Sequence, residues 1–153
     1  MITKDFFYCN YQVSDKETLF KEMSKDLVAK GFVQEGFDKA LLEREINFPT
    51  GLPVPHGVAI PHTDGTLVNA DQLVFITLKQ PIEFNEMGGD EEDVLPVRVI
   101  IMLAVKDGKK HLTILQNLIE AIQKEGFISG LLAAESTDGM GEIINKYIAE
   151  TVA

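Results

Sequence analysis

Three histidines, His56, His62 and His111, carry most of the chain's potential for chemistry, and their placement is informative. His56 and His62 bracket Gly57-Val58-Ala59-Ile60-Pro61, an apolar run that ends in a proline directly before His62. Proline has no N–H and fixes its own φ, so strand pairing is expected to stop there and to deliver His62 at a strand end with few orientations open to its ring. A neutral imidazole, with an ordinary pKa of about 6.5, is a nucleophile near neutral pH and can carry a phosphoryl group on nitrogen. Transfer of that group demands in-line positioning and neutralisation of its oxygens, tasks suited to a second histidine, a guanidinium or backbone N–H groups. His111, Arg44 and the Thr50-Gly51 turn are the candidates. Each has a plainer alternative: a hydrogen-bonded structural imidazole for His62, a core histidine finishing an apolar stripe for His111, and a surface charge favouring a helix C-terminus for Arg44. The six-residue spacing of His56 and His62 also admits a two-histidine metal site, as in a small metal-dependent hydrolase, but no third and fourth ligand stand at a recognisable spacing.

These residues need elements to hold them. Phe6 to Val13 reads as a short strand, and Ser14 with Glu17 forms a capping box ahead of Leu19, Phe20, Met23, Leu27 and Val28 at helical spacing. A second helix is expected over Glu35 to Glu45, which puts Arg44 in its last turn before Pro49. Phe48 to His62, with Pro49, Pro53, Pro55 and Pro61, reads as loop followed by a brief strand. Gln72 to Leu78 and Val94 to Val105 are β-branched runs of the kind covered on both faces, hence the sheet centre. Ile82 to Met87 reads as an edge strand. Leu112, Leu115, Leu118, Ile119 and Ile122 mark a long helix over Lys109 to Lys124, and shorter helices are expected at Ile128 to Ala134 and Met140 to Ala149. At about 100° per residue His111 aligns with Leu115, Leu118 and Ile122, so it points toward the sheet from a first helical turn whose N–H groups could attract an anion. If the two strands run parallel, His62 and His111 meet beyond their carboxyl ends. Strands interleaved with helices imply an α/β fold, a mixed sheet sandwiched between helices.

Composition bounds the function. The 153 residues, with no repeat or long linker, suit a single domain over 1–153. A net charge of -10 and the lack of clustered Lys and Arg exclude nucleic acid as a partner and disfavour an anionic membrane surface. The longest apolar stretch, Val97 to Val105, falls far short of the ~20 residues that span a bilayer, so no membrane insertion is expected. The N-terminus lacks the apolar core of a secretory signal and Cys9 stands alone, as suits a reducing cytoplasmic setting. Walker, Gly-x-Gly-x-x-Gly, Gly-x-Ser-x-Gly and Cys-x-x-Cys motifs are absent. The acidic residues Glu83, Glu86, Asp90, Glu91, Glu92 and Asp93 fit a solvated loop or the border of a docking face for a basic partner.

Arg44-Glu45, then Pro49-Thr50-Gly51, then Gly57-Val58-Ala59-Ile60-Pro61-His62-Thr63 resembles the phosphorylation-site signature of the enzyme IIA components of the bacterial phosphoenolpyruvate-dependent sugar phosphotransferase system, fructose/mannitol type. Val97 to Val105 followed by His111-Leu112-Thr113-Ile114-Leu115 is similar to the family's second block, and Phe48-Pro49-Thr50-Gly51-Leu52 looks most like its galactitol branch. The resemblance implies that His62 accepts a phosphoryl group from the phosphocarrier protein HPr and passes it to a cysteine of an enzyme IIB. That partner in turn serves a membrane enzyme IIC. It also implies His111 as an auxiliary group, Arg44 near the phosphoryl oxygens, no metal or other cofactor, and a surface loop for His56. A regulatory module of the same fold, whose histidine phosphorylation controls a partner, is the alternative.

Overall fold

In the computed structural model, which describes residues 1–148, five strands form one mixed sheet in the order β1-β4-β5-β3-β2. They are β1 (Phe7–Tyr11), β2 (Gly51–Leu52), β3 (Val58–Ala59), β4 (Gln72–Asn85) and β5 (Val94–Ala104). The helices are α1 (Lys16–Ala29), α2 (Phe37–Asn47), α3 (Gly108–Gln123), α4 (Phe127–Ala133) and α5 (Thr137–Tyr147). The central pair β4 and β5 is antiparallel, whereas β1 on β4 and β3 on β5 run parallel.

Strand alternation divides the core in two, because successive side chains leave a strand on opposite faces. Leu73, Phe75, Val99, Ile101 and Leu103 face α3, α4 and α5, where they meet Ile114, Leu118, Phe127, Leu131 and Ile144. Val74, Ile76, Ile100 and Met102 face α1 and α2, against Phe20, Met23, Phe37 and Leu41. Both central strands are therefore buried on two faces, which explains why they read as unbroken apolar runs.

Three local expectations are corrected. Ile82 to Met87 is no separate edge strand: its first four residues continue β4 and pair with β5, from Ile82 opposite Val97 to Asn85 opposite Val94. Between Thr77 and Ile82 the register slips through a bulge containing Pro81, which cannot donate to a ladder, and the Arg98 side chain closes the gap with a 2.8 Å bond from Nε to the Leu78 carbonyl. The cap of α1 is Asp15 rather than Ser14, its carboxylate accepting from the Thr18 N–H at 2.8 Å. The second helix starts at Phe37, behind Gly36 at φ 94. The expected final helix ends at Tyr147, and Ala149 lies outside the described residues. Among the described residues no helix is long and apolar enough to cross a membrane.

Candidate functional site: two imidazoles at one edge of the sheet

The parallel pairing of β3 with β5 brings His62 and His111 together. Gly57 opens β3 at φ +71 so close to β5 that an added Cβ would lie 2.0 Å from the Pro96 carbonyl oxygen, a seat only glycine fits. Val58 and Ala59 then pair with Val99 and Ile100, and the chain continues past Pro61 until His62 bridges to Leu103 in parallel. Both strands finish at the same edge of the sheet. From there β5 turns through Lys106 and Asp107 into α3, whose first turn carries His111. Asp71 accepts the Lys106 N–H at 2.9 Å and pairs with Lys110 at 2.9 Å, which ties this connection down.

The imidazole rings of His62 and His111 lie edge to face, with centroids 4.7 Å apart and planes at 83°. His62 Nδ1 stands 2.8 Å from the Ile60 carbonyl oxygen. A carbonyl can only accept, so Nδ1 carries the proton and Nε2 keeps its lone pair. Nε2 has no hydrogen-bond partner among the described residues and is not sealed from solvent. Burial, opposed by the bond to Ile60 and reinforced by the Arg44 charge, lowers the His62 pKa below 6.5. The His111 pKa falls to about 4 through burial, with further contributions from His62 and Arg44. Both rings are therefore neutral near pH 7.

Arg44 reaches the pair from the last turn of α2, its guanidinium stacked on the exposed Phe48 ring at 4.3 Å. It also lines a cavity of about 290 Å³ with Phe48, Thr63 and Asp64, whose carboxyl is held below the usual range by the Thr66 N–H, with a smaller contribution from the Arg44 charge. Among the described residues, three buried side-chain polar atoms lack a partner: Ser24 Oγ, Arg44 Nε and His111 Nε2. Two of the three lie around His62.

Other candidates part from the site. The Thr50 N–H and hydroxyl both donate to Glu45, at 2.7 and 2.8 Å, so neither Thr50 donor is left for an anion. The first turn of α3 is partly occupied as well, because Asp107 accepts the Lys109 N–H at 2.8 Å. His56, exposed at φ 74, sits at the other end of β3, where its carbonyl accepts from Arg98; along β5 that is roughly 16 Å from Leu103 and His62. Among the described residues no group of three or more His, Cys, Asp or Glu could hold a metal ion. Sequence reasoning missed Glu45 and Phe48. Glu45 had a signal, standing third in the buried stripe Phe37, Leu41, Glu45, where an apolar residue would be ordinary.

A mixed sheet between two helical layers is the architecture this chain shares with the solved phosphotransferase-system IIA structures. Residues 1–147 match the family "Phosphoenolpyruvate-dependent sugar phosphotransferase system, EIIA 2", and the chain belongs to that family of phosphoryl-carrying components of sugar uptake. It is 24% identical over 138 residues, 90% of each chain, to the PTS system galactitol-specific EIIA component of Escherichia coli K12. The nitrogen regulatory protein IIA-Ntr of Neisseria meningitidis superposes with a TM-score of 0.78 at 25% identity, over 94% of this chain and 95% of that one. The complex of enzyme IIAMtl and phosphorylated enzyme IIBMtl from E. coli matches with a TM-score of 0.78 at 22% identity, over 95% and 99%.

Proposed function

We propose that this chain accepts a phosphoryl group on His62 Nε2 from phospho-HPr and passes it to a cysteine of an enzyme IIB, for uptake of a sugar or sugar alcohol, galactitol-like, through a membrane IIC. The observation that carries the proposal is the pairing of an accessible, unprotonated Nε2 with two buried, unpartnered nitrogens, Arg44 Nε and His111 Nε2. A buried polar atom without a partner costs about 1–3 kcal/mol, and a phosphoryl oxygen at the site would relieve it. The Nε2 lone pair attacks phosphorus, the P–N bond of the donor breaks, and its electron pair returns to the donor nitrogen. His62 retains its Nδ1 proton against the Ile60 carbonyl, and the resulting cationic ring is offset by the phosphoryl charge. Arg44 neutralises the oxygens, and neutral His111 donates an N–H to one of them. In the second transfer a thiolate attacks, and the electrons of the P–N bond return to Nε2.

The whole chain, 1–153, acts as one cytoplasmic domain in this reading. The galactitol-specific relative supports the substrate class, and the partner in the mannitol complex supports an enzyme IIB as acceptor. Incubation with labelled phosphoenolpyruvate, enzyme I and HPr is expected to give an acid-labile phosphoprotein, with His62→Ala unlabelled; labelling of that variant overturns the assignment. The likeness to a nitrogen regulatory IIA favours a second reading, in which phosphorylation controls a partner instead of feeding transport. Failure of the phosphorylated protein to pass its label to any enzyme IIB of the galactitol, mannitol or fructose type would select that reading.

A further inference from the structure

Glu45 is 2% exposed, yet none of the chain's basic groups forms an ion pair with it among the described residues. Its carboxylate instead accepts twice from one residue: Oε2 from the Thr50 N–H and Oε1 from the Thr50 hydroxyl. With its proton committed to Glu45, Thr50 Oγ1 has lone pairs to offer, and it accepts the Ile60 N–H at 3.2 Å. The carbonyl of that same Ile60 holds His62 Nδ1. Ile60 lies beyond β3, which ends at Ala59, and is followed by Pro61, which has no N–H to anchor the chain. The Thr50 bond therefore holds the residue that aims the imidazole at the point where ladder pairing lapses.

We infer that Glu45 and Thr50 are positioning residues, which hold Ile60 so that its carbonyl keeps the proton of His62 on Nδ1 and leaves Nε2 as the nucleophile. The inference deepens the phosphoryl-transfer reading and rests on it. A buried carboxylate suits this task better than an amide because both oxygens accept; an Asn or Gln in its place would present an NH2 to one of the two Thr50 donors. The cost of burying the charge is visible in the Glu45 pKa, which desolvation raises above the ordinary carboxylate value despite the two Thr50 bonds.

The test is the tautomer of His62 in the unphosphorylated protein, read from two-dimensional 15N–1H imidazole spectra, beside the initial rate of phosphorylation by phospho-HPr. Wild type is expected in the Nδ1–H form. Thr50→Val, which keeps the volume and removes the hydroxyl, is expected to give a mixture of both tautomers and a rate lower by about tenfold to a hundredfold, with half-saturation for the donor unchanged. Thr50→Ser is expected to restore both readouts. A folded Thr50→Val protein with the Nδ1–H form intact and an unaltered rate overturns the inference; should that variant not fold, Glu45→Gln is judged by the same two criteria. The tautomer measurement needs no donor, so an absence of label on wild-type His62 would remove the functional reading while the spectra still judge the clamp.

Discussion

The two arms of the site are built in opposite ways. The strand-end arm leading to His62 is tied at nearly every step: Gly57 against Pro96, Val58 and Ala59 on β5, Ile60 to Thr50, Pro61 to the Leu103 N–H, and the ring itself to Ile60. The helical arm carrying His111 holds only its backbone, through Asp107 and Asp71, and leaves the ring nitrogen Nε2 without a partner. A group that must attack in line profits from having no rotational freedom, whereas a group that meets different oxygens in the acceptor and phosphorylated states profits from keeping some. In the phosphoryl-transfer reading proposed above, the tied arm suits the nucleophile and the arm with the unpartnered ring nitrogen suits the auxiliary role.

The sharpest way to break this contrast is at the root of the rigid arm. Gly57→Ala sets a Cβ against the Pro96 carbonyl in a backbone conformation that disfavours L side chains, and is expected to cost upwards of ~2 kcal/mol and to abolish labelling, read by thermal denaturation and by the phosphorylation assay. Next in size is His111→Asn. It keeps an N–H donor but shortens the reach, and should slow phosphorylation by roughly tenfold to a hundredfold with His62 still labelled, since a single preorganised donor accounts for that order of rate. A loss as complete as that of His62→Ala would show that the two arms share the nucleophilic role.

The smallest effect, and the finest discriminator, is titration. NMR is expected to give a His62 midpoint below 6.5 and a His111 midpoint near 4. Because both folded values are depressed, the unfolded chain binds more protons in this range. The stability these neutral rings contribute is therefore fully present above pH about 6.5 and declines as pH falls towards 4. The capacity of His62 to accept a phosphoryl group should likewise persist below pH 6.5 before protonation removes it. A His62 midpoint at or above 6.5 would mean that the bond to the Ile60 carbonyl outweighs burial and the Arg44 charge.

Much of this arrangement was legible in the chain. The apolar runs of β4 and β5 declared a sheet centre because burial on both faces leaves no polar alternation. Pro61 before His62 announced a strand end, and the spacing of His111 with Leu118 and Ile122 gave its inward direction. The bulge that merges Ile82 to Asn85 into β4 was not legible: Lys79-Gln80-Pro81 looks like a turn, and only the pairing of Arg98 with Leu78 reveals a strand that bends and goes on. Thr50 was likewise misjudged as an anion donor, because its competition for partners is settled by Glu45, five residues away along the chain but adjacent in space.

Periodicity, proline and charge, being properties of near neighbours, determined by themselves the layers of this protein and the order of its main elements, and put forward the residues that could carry a phosphoryl group. Which donors remained available to meet that group was decided only by the tertiary structure. A hydrogen bond depends on distances of about 3 Å between groups that folding alone brings together. Until β3 settled beside β5 and α2 lowered Glu45 onto Thr50, each N–H and hydroxyl of the site was equally open to water, and nothing distinguished a clamp from a catalytic partner.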